Sequence, residues 1–314
     1  MERLDLKLGF TCNNRCRFCV QGDKRARFGA RTSADIDAFL RRGRARGASA
    51  LVLTGGEPTV HPTLPGTVRL AAALGFTTIQ IQTNGRRFFY ADYCRELLAA
   101  GVTEFSPALH GSSPEIHDGL TRAPGSFQQT LQGIRNLKEL GAFVLTNTVV
   151  TTRNYRDLPE LARLFTQLGV DQFQFAFMHI VGEAGANKDE LTVRKTTAMP
   201  FIQRALDIGR AAGTRCYTEA VPYCLMRGYE DCVAEKIIPR TMVFDAETII
   251  DDYTQYRHTE GKAKGPRCAQ CRHDAECEGP WKEYAQMFGW EEFKPAAQKK
   301  KKSKKKTAKK HAER

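Results

Sequence analysis

The stretch TCNNRCRFCVQG at residues 11–22 places three cysteines, Cys12, Cys16 and Cys19, on one short segment, separated by three and then two residues. Disulfides need an even number of cysteines and an oxidising compartment. A closed structural zinc site needs four protein ligands, so these three cysteines are one ligand short of such a site. The spacing therefore indicates a metal site that keeps one coordination position open.

The composition is that of a water-soluble chain with one large domain and a small additional module. The chain has 314 residues, of which 41% are hydrophobic. It has no run of eighteen apolar residues, so we expect no membrane span. The N-terminal sequence MERLDLKLGF is charged and lacks the apolar core of a secretory signal. We therefore expect a cytoplasmic protein whose ten cysteines are reduced.

The net charge of +13 comes mostly from the C-terminus. Residues 299–314, KKKKSKKKTAKKHAER, carry a charge of +9 and leave about +4 on the rest of the chain. A lysine block of this kind has no apolar face, so we predict a disordered, solvated tail at 298–314. The alternative is a weak, salt-sensitive attraction of this tail to nucleic acid or acidic partners.

Strand and helix patterns alternate along the first two thirds of the chain. Apolar or alternating segments predict six strands, at 4–10, 50–57, 77–85, 104–111, 143–151 and 172–182. Each is followed by a helical pattern, at 33–47, 64–75, 92–101, 126–141, 157–169 and 197–213, the first with Ser33 as its N-cap. This α/β alternation favours a parallel sheet, either doubly wound or closed into an incomplete barrel. In both, ligands bind at the carboxyl ends of the strands.

Polar motifs follow the predicted strands at that end. The cysteine loop follows the first strand, and the later strands lead to TGGEP (54–58), QTNG (82–85), SPALHG (106–111), TNT (146–148) and HIVG (179–182). Because the carboxyl ends of parallel strands meet at one rim, we expect these thiols, amides, hydroxyls and histidines to converge.

Two of these motifs together resemble the radical S-adenosylmethionine (radical SAM) superfamily. The resemblance rests on Cys12-x3-Cys16-x2-Cys19 with the aromatic Phe18 before the third cysteine, and on Gly55-Gly56-Glu57-Pro58 after the second strand. It covers residues 4 to about 182. It implies a partial (β/α)6 TIM-like barrel, a [4Fe–4S] cluster on the three cysteines, and SAM bound at the open iron. It also implies an electron donor such as flavodoxin or ferredoxin.

The resemblance also suggests roles for residues at the rim. Gly55 and Gly56 would let the backbone approach the methionine amino group of SAM, and Glu57 would accept a hydrogen bond from that ammonium. Asn84, Ser106 and Asn147 are candidates for bonds to SAM ribose or carboxylate groups. Further candidates are the substrate-facing histidines and the anion-binding arginines, namely His110, His117, His179, Arg122 and Arg153. We assign no catalytic side chain. Taken alone, Gly-Gly-Glu-Pro would favour a strand-to-helix turn, and only the cysteine triplet before it favours the SAM-binding interpretation.

A second cysteine group lies near the C-terminus. The sequence CAQCRHDAEC, from Cys268 through Cys271 to Cys277, resembles part of the SPASM and twitch extensions of radical SAM enzymes, which hold auxiliary iron–sulfur clusters. The next cysteine of the SPASM pattern is Trp281 here. We predict Cys224 as the fourth ligand, with Cys216 or Cys232 as the alternative. A zinc site is the rival interpretation. Cys94, inside a predicted helix, is expected to be a buried apolar residue.

These patterns divide the chain into a radical SAM partial barrel at 1–213, a cysteine-rich auxiliary-cluster module at 214–297 and the tail. The predicted function is reductive cleavage of SAM to a 5′-deoxyadenosyl radical for the maturation of a peptide or protein. The alternative is a radical SAM enzyme of small-molecule or cofactor biosynthesis. A rival from another class is a non-catalytic metal- or nucleic-acid-binding protein, supported only by the lysine tail.

Overall fold

The computed structural model describes residues 2–297. The predicted tail at 298–314, and any nucleic-acid contact through it, lies outside this described part. No helix within residues 2–297 is both long and apolar enough to cross a bilayer.

Within residues 2–297, nine strands form the framework, and the first six lie where the sequence predicts them. The strands are β1 (Arg3–Lys7), β2 (Ala50–Thr54), β3 (Thr78–Thr83), β4 (Glu104–Pro107), β5 (Leu145–Val150), β6 (Gln172–Phe177), β7 (Arg215–Glu219), β8 (Thr241–Phe244) and β9 (Ile249–Ile250). The last three were not predicted. All neighbouring pairs are parallel except β8 with β9.

The strands form one curved wall in two hydrogen-bonded sheets. One sheet has the order β4-β3-β2-β1-β8-β9 and the other β5-β6-β7. Parallel bridges between Phe105 and Val144 and between Ala108 and Asn147 join β4 to β5. The six predicted units therefore follow one another around a partial barrel, as expected. Strands β7 and β8 lie beyond the predicted domain boundary at 213, yet each pairs with a strand of the barrel.

Helices connect the parallel strands and cover the outside of the wall, and two further helices, α11 and α12, follow the last strand. They are α1 (Lys24–Arg27), α2 (Ser33–Ala45), α3 (Leu64–Ala73), α4 (Ala91–Ala100), α5 (Pro114–Thr121), α6 (Ser126–Glu139), α7 (Leu158–Gln167), α8 (Glu183–Ala186), α9 (Lys188–Leu191), α10 (Lys195–Ala211), α11 (Tyr253–Tyr256) and α12 (Lys282–Phe288). The prediction of Ser33 as the N-cap of α2 is wrong by one residue. Thr32 caps this helix, because its side chain and that of Asp35 form a reciprocal capping box.

Side-chain alternation decides which face of the wall is apolar. On β1, Leu4 and Leu6 are fully buried in the layer beneath the helices. The intervening residues Arg3, Asp5 and Lys7 point to the other face, inside the barrel, because successive side chains of a strand alternate. The interior of the barrel is thus polar at β1, where a ligand can be bound rather than excluded.

Candidate functional site

A cavity of about 340 Å³ lies at the carboxyl ends of β1 to β5. All ten residues predicted for the barrel site line it, and they are Cys12, Cys16, Phe18, Cys19, Gly55, Gly56, Glu57, Asn84, Ser106 and Asn147. Residues up to 135 positions apart in the chain thus meet because the strand ends share one rim.

The cysteine loop is fixed by backbone bonds to the end of α5 and by two arginines, of which Arg86 donates to the carbonyl of Asn13 at 2.6 Å. The N–H groups of Arg15 and Arg17 donate to the carbonyls of Thr121 and Leu120 at 2.9 and 3.0 Å. Arg25 donates to the carbonyl of Asn14 at 2.7 Å and to the Cys19 Sγ at 3.4 Å. Arg25 thus places a positive charge beside this sulfur, and the thiolate is the form of cysteine that binds metals.

The three thiols are half-buried in the cavity wall. Burial raises the pKa of Cys12, and it raises the pKa of Cys16 to about 12, with the neighbouring thiols adding to the effect on Cys16. Metal binding must therefore displace protons from these sulfurs. Within residues 2–297, no three Cys, His, Asp or Glu side chains converge closely enough to share a single metal ion. An iron–sulfur cluster is a larger body than one ion, and thiolates are its usual ligands.

The two glycines are required by the cysteine loop itself. A Cβ on Gly55, whose φ is +124°, would lie 2.2 Å from the carbonyl oxygen of Gly9, and one on Gly56 would lie 2.3 Å from that of Thr11. The N–H groups of Gly56 and Glu57 donate to those same two carbonyls at 2.8 Å. The two glycines were expected to let the backbone come close to a ligand. In the structure, what they lie close to is the backbone segment that leads into the cysteines.

The carboxylate of Glu57 is buried and already has four donors. Its Oε1 accepts from the N–H and the hydroxyl of Thr59 at 2.9 and 2.6 Å, and from the hydroxyl of Thr83 at 2.6 Å. Its Oε2 accepts from the N–H of Asn84 at 2.6 Å. Burial raises the pKa of Glu57, and these hydrogen bonds oppose the shift. Glu57 thus ties the end of β2 to the end of β3, a role that the sequence did not indicate.

The other predicted polar residues differ in whether their side chains already have hydrogen-bond partners. Asn84 donates its side-chain amide to Asn13 at 2.6 Å, which joins the loop after β3 to the cysteine loop. Ser106 is buried in the cavity wall, and the Asn147 Oδ1 is buried without a hydrogen-bond partner among the described residues. The Oε1 of Gln21, also in the wall, is likewise unpaired there. Unpaired buried acceptors are costly, so they indicate a polar ligand in this cavity.

Of the three candidate histidines, one reaches the cavity. His110 lines it, and the ring of Phe18 packs edge-on against the His110 ring with 4.5 Å between centroids. His117 is buried behind His110 in α5. His179 lies outside the cavity wall and stacks on Trp281 at 4.2 Å.

Neither candidate arginine lines the cavity. Arg153 is exposed and donates to Glu190 at 3.0 Å, and Arg122 is exposed at the end of α5. The structure thus gives neither of them an anion-binding role inside the barrel.

Sequence reasoning missed several residues of the cavity wall. Asp5 and Lys7 of β1 and Gln82 of β3 line it, together with Arg25. The signal was present in the first strand, where charged residues alternate with buried leucines, but such a pattern is equally typical of a solvated face. Arg25 carries no sequence signal, since its role depends on the folded loop.

The second cysteine group forms a separate pocket. It is lined by Cys224, Cys268, Cys271 and Cys277, the four predicted ligands, together with Trp290 and Phe293. Burial raises the pKa of Cys224 to about 12, and the other three thiols add to this shift.

Cys216 and Cys232 lie elsewhere. They are buried against one another, and the Cys216 Sγ contacts the carbonyl of Leu206 at 3.6 Å. Cys94 is fully buried in the core, as expected.

The chain resembles known proteins in its sequence and solved structures in its fold. A probable GTP 3′,8-cyclase of Saccharolobus islandicus is 29% identical over 184 residues, which are 58% of this chain and 58% of that protein. An AdoMet-dependent heme synthase of Methanosarcina barkeri is 28% identical over 182 residues, 58% of this chain and 51% of that protein. The chain thus spans little more than half the length of these relatives.

Two solved structures share the fold. Streptococcus suis SuiB bound to S-adenosylmethionine has a TM-score of 0.66 and 16% identity, covering 88% of this chain and 72% of SuiB. The enzyme anSMEcpe with AdoMet and a peptide has a TM-score of 0.56 and 16% identity, covering 69% of this chain and 63% of that one. The family model of the radical SAM superfamily matches residues 6–165, just over half of the 314 residues. The chain therefore belongs to the radical SAM superfamily.

Proposed function

We propose that Cys12, Cys16 and Cys19 hold the [4Fe–4S] cluster and that SAM binds in the adjoining cavity. The observation that carries this proposal is the meeting of three thiols and two unpaired amide oxygens in one wall. Three thiolates leave one iron of a four-iron cluster without a protein ligand. When bound, these cofactors would supply radical chemistry, namely the abstraction of a hydrogen atom from substrate through a 5′-deoxyadenosyl radical.

The side chains of the wall orient SAM. The free acceptor of Asn147 suits a hydroxyl or ammonium donor of SAM, and the hydroxyl of Ser106 both donates and accepts. Phe18 provides an apolar surface, and its ring packs against the ring of His110. The carboxylate of Glu57 is occupied by Thr59, Thr83 and Asn84 and holds the end of β2 against the end of β3. Its backbone N–H donates to the carbonyl of Thr11 and so holds the glycine loop against the cysteine loop.

We infer that the substrate is a peptide or protein. The fold likeness to SuiB, solved with a precursor peptide, and to anSMEcpe, solved with a peptide, supports this class. The relatives by sequence are named for GTP cyclisation and heme synthesis, which favours a small molecule as the second candidate. Flavodoxin or ferredoxin is the proposed electron donor. A cytoplasmic location is the proposed one, because metal-binding thiols persist in a reducing compartment.

We further propose a second iron–sulfur cluster on Cys224, Cys268, Cys271 and Cys277. Four thiols around one pocket satisfy such a cluster completely, which suits electron transfer or a structural role. A zinc ion on the same four thiols is the alternative, and it would require these side chains to move closer together, because no three of them among residues 2–297 are placed to share one ion.

The test of the proposed function is cleavage of SAM by the anaerobically reconstituted full-length enzyme with dithionite. We expect 5′-deoxyadenosine from the wild type and none from Cys16→Ala. The Cys94→Ala variant is the matched control, since Cys94 lies in the core away from both sites. A wild type with a full cluster that cleaves no SAM, with or without candidate substrates, would contradict the proposal.

A further inference from the structure

His110 has one polar atom that no described residue satisfies. Its backbone N–H donates to the His117 Nδ1 at 3.0 Å, and its carbonyl accepts from the side-chain amide of Asn154 at 2.9 Å. Its ring Nδ1 accepts from the backbone N–H of Val149 at 3.2 Å. The ring Nε2 forms no hydrogen bond with any residue among 2–297. Only 4% of the residue is exposed and its ring lines the cavity, so this nitrogen is left for a ligand.

The bond from Val149 fixes where the ring of His110 carries its proton. A backbone N–H can only donate, so Nδ1 must be unprotonated, and the proton of the neutral ring then lies on Nε2. A second proton at Nδ1 would set two donors against one another and break this bond. Burial also lowers the pKa of His110 well below its usual value, and the neighbouring His117 adds to the shift. His110 thus presents a neutral N–H to the cavity.

The ring of His110 takes the place of a strand partner at the end of β4. This strand ends at Pro107, and a parallel bridge joins Ala108 to Asn147 of β5. Two residues further along β5, the N–H of Val149 meets the His110 ring where a neighbouring strand would offer a carbonyl. The direction of the ring is therefore set by the sheet before any ligand binds.

Two aromatic contacts hold the ring of His110 beside the cysteine loop. The ring stacks on that of His117 with 5.7 Å between centroids, and the Phe18 ring packs edge-on against it at 4.5 Å. Phe18 stands between Cys16 and Cys19 in the chain. The free N–H of His110 thus lies in the cavity wall next to the loop assigned above to the cluster.

We propose that the Nε2–H of His110 donates a hydrogen bond to an acceptor atom of bound SAM, and this rests on the proposed function. Asn147, whose Oδ1 is unpaired among the described residues, lies in the same wall two residues before Val149. The two side chains together offer one donor and one acceptor. The nucleoside and amino-acid groups of SAM contain partners for both.

The neutral state of the His110 ring suits this ligand. The other charged side chains of the wall are two cations and two carboxylates, namely Lys7, Arg25, Asp5 and Glu57. An imidazolium would add a positive charge to this set and would repel the sulfonium of SAM. A histidine that cannot gain its second proton donates a hydrogen bond without that repulsion.

The experiment compares two variants of similar length in the reconstituted full-length enzyme, His110→Gln and His110→Met. Both lack the acceptor for the Val149 N–H, so the urea midpoints of both should fall. They differ in that glutamine ends in an NH2 group that can replace the Nε2–H, whereas methionine has no donor. Equilibrium binding of SAM is measured per bound cluster. We expect His110→Met to bind SAM about 5- to 10-fold more weakly than the wild type and His110→Gln to remain within about twofold of it.

Three results would overturn the proposal. A SAM affinity of His110→Met equal to that of the wild type would show that Nε2–H donates to no atom of SAM. An equal loss of affinity in both variants would show that the ring acts by packing and not as a donor. Loss of iron from both variants would show that the ring supports the cysteine loop. A wild type that holds a full cluster and binds no SAM would instead contradict the proposed function.

Discussion

The carboxylate of Glu57, at the end of β2, accepts a hydrogen bond of 2.6 Å from the backbone N–H of Asn84, at the end of β3. The bond joins two loops of the cavity wall that are 27 residues apart in the chain. Through the side chain of Asn84, which donates to Asn13, the same connection continues into the cysteine loop. Glu57 is thus a positioning residue for the cysteine loop as well as part of the cavity wall.

Glu57→Gln should weaken this connection without creating a cavity in the core. A glutamine presents one oxygen to three donors and turns its NH2 group toward the Asn84 N–H, so two donors face one another. We expect a loss of about 1–3 kcal/mol in the free energy of unfolding and a SAM affinity weaker by about tenfold, which is about 1.4 kcal/mol. Denaturant titration and equilibrium binding of SAM measure the two effects. Unchanged SAM affinity in the variant would assign Glu57 a purely structural role.

Gly56→Ala should disrupt the cysteine loop. The added Cβ would meet backbone atoms of Phe10 and Thr11 at 2.3 to 2.6 Å, and backbone cannot turn aside as a flexible side chain can. We expect reconstituted Gly56→Ala to bind much less iron at the first site, because the loop must shift to admit the methyl group.

Gly66→Ala is the control for that experiment. Gly66 lies in α3 without a positive φ, and a Cβ added to it would meet no other atom within 4 Å. This replacement should keep the iron content and stabilise the helix by up to about 1 kcal/mol. Full iron content in Gly56→Ala would show that the loop tolerates the shift.

The pH dependence of stability should include a contribution from His117. Burial lowers the pKa of His117 to about 4 from 6.5, with Arg86 lowering it further and Asp118 opposing the shift. The folded chain keeps this ring neutral, whereas the unfolded chain protonates it. The contribution of His117 to the free energy of unfolding is therefore fully present above pH 6.5 and is lost as the pH falls towards 4. The slope for one such group is at most about 1.4 kcal/mol per pH unit.

Denaturant titrations of His117→Gln between about pH 7 and pH 4 measure this contribution. Glutamine can still accept the hydrogen bond from the backbone N–H of His110, and it does not titrate. The variant should therefore lose stability less steeply than the wild type on acidification. His258→Gln, which alters a half-exposed histidine, serves as the control. Parallel curves for His117→Gln and the wild type would rule out this residue as the source.

Local patterns were sufficient for the first six strands and for the cysteine loop, because apolar alternation and fixed spacing are properties of short segments. They were insufficient for β7 and β8. The segment RCYTE of β7 is polar, and TMVF of β8 is too short to show a period. The pairing of β8 with β1 joins residues 238 apart, and nothing local indicates it. The same is true of the four donors around Glu57. The sequence favoured Cys224 over Cys216 and Cys232 as the fourth ligand of the second site, and Cys224 lines that pocket, but local patterns alone do not decide this choice.

That last choice can be decided in a protein that lacks the first cluster. With Cys12, Cys16 and Cys19 replaced by alanine, we expect the reconstituted chain to retain about four irons, held by the second pocket. Cys224→Ala in this background should lose most of that iron, because Cys224 faces Cys268, Cys271 and Cys277 across one pocket. Cys216→Ala and Cys232→Ala are the matched controls and should keep it, since these thiols contact one another in β7 and the turn after it. Zinc without iron would leave a structural zinc site, and equal iron content in all three variants would show that Cys224 is not a ligand.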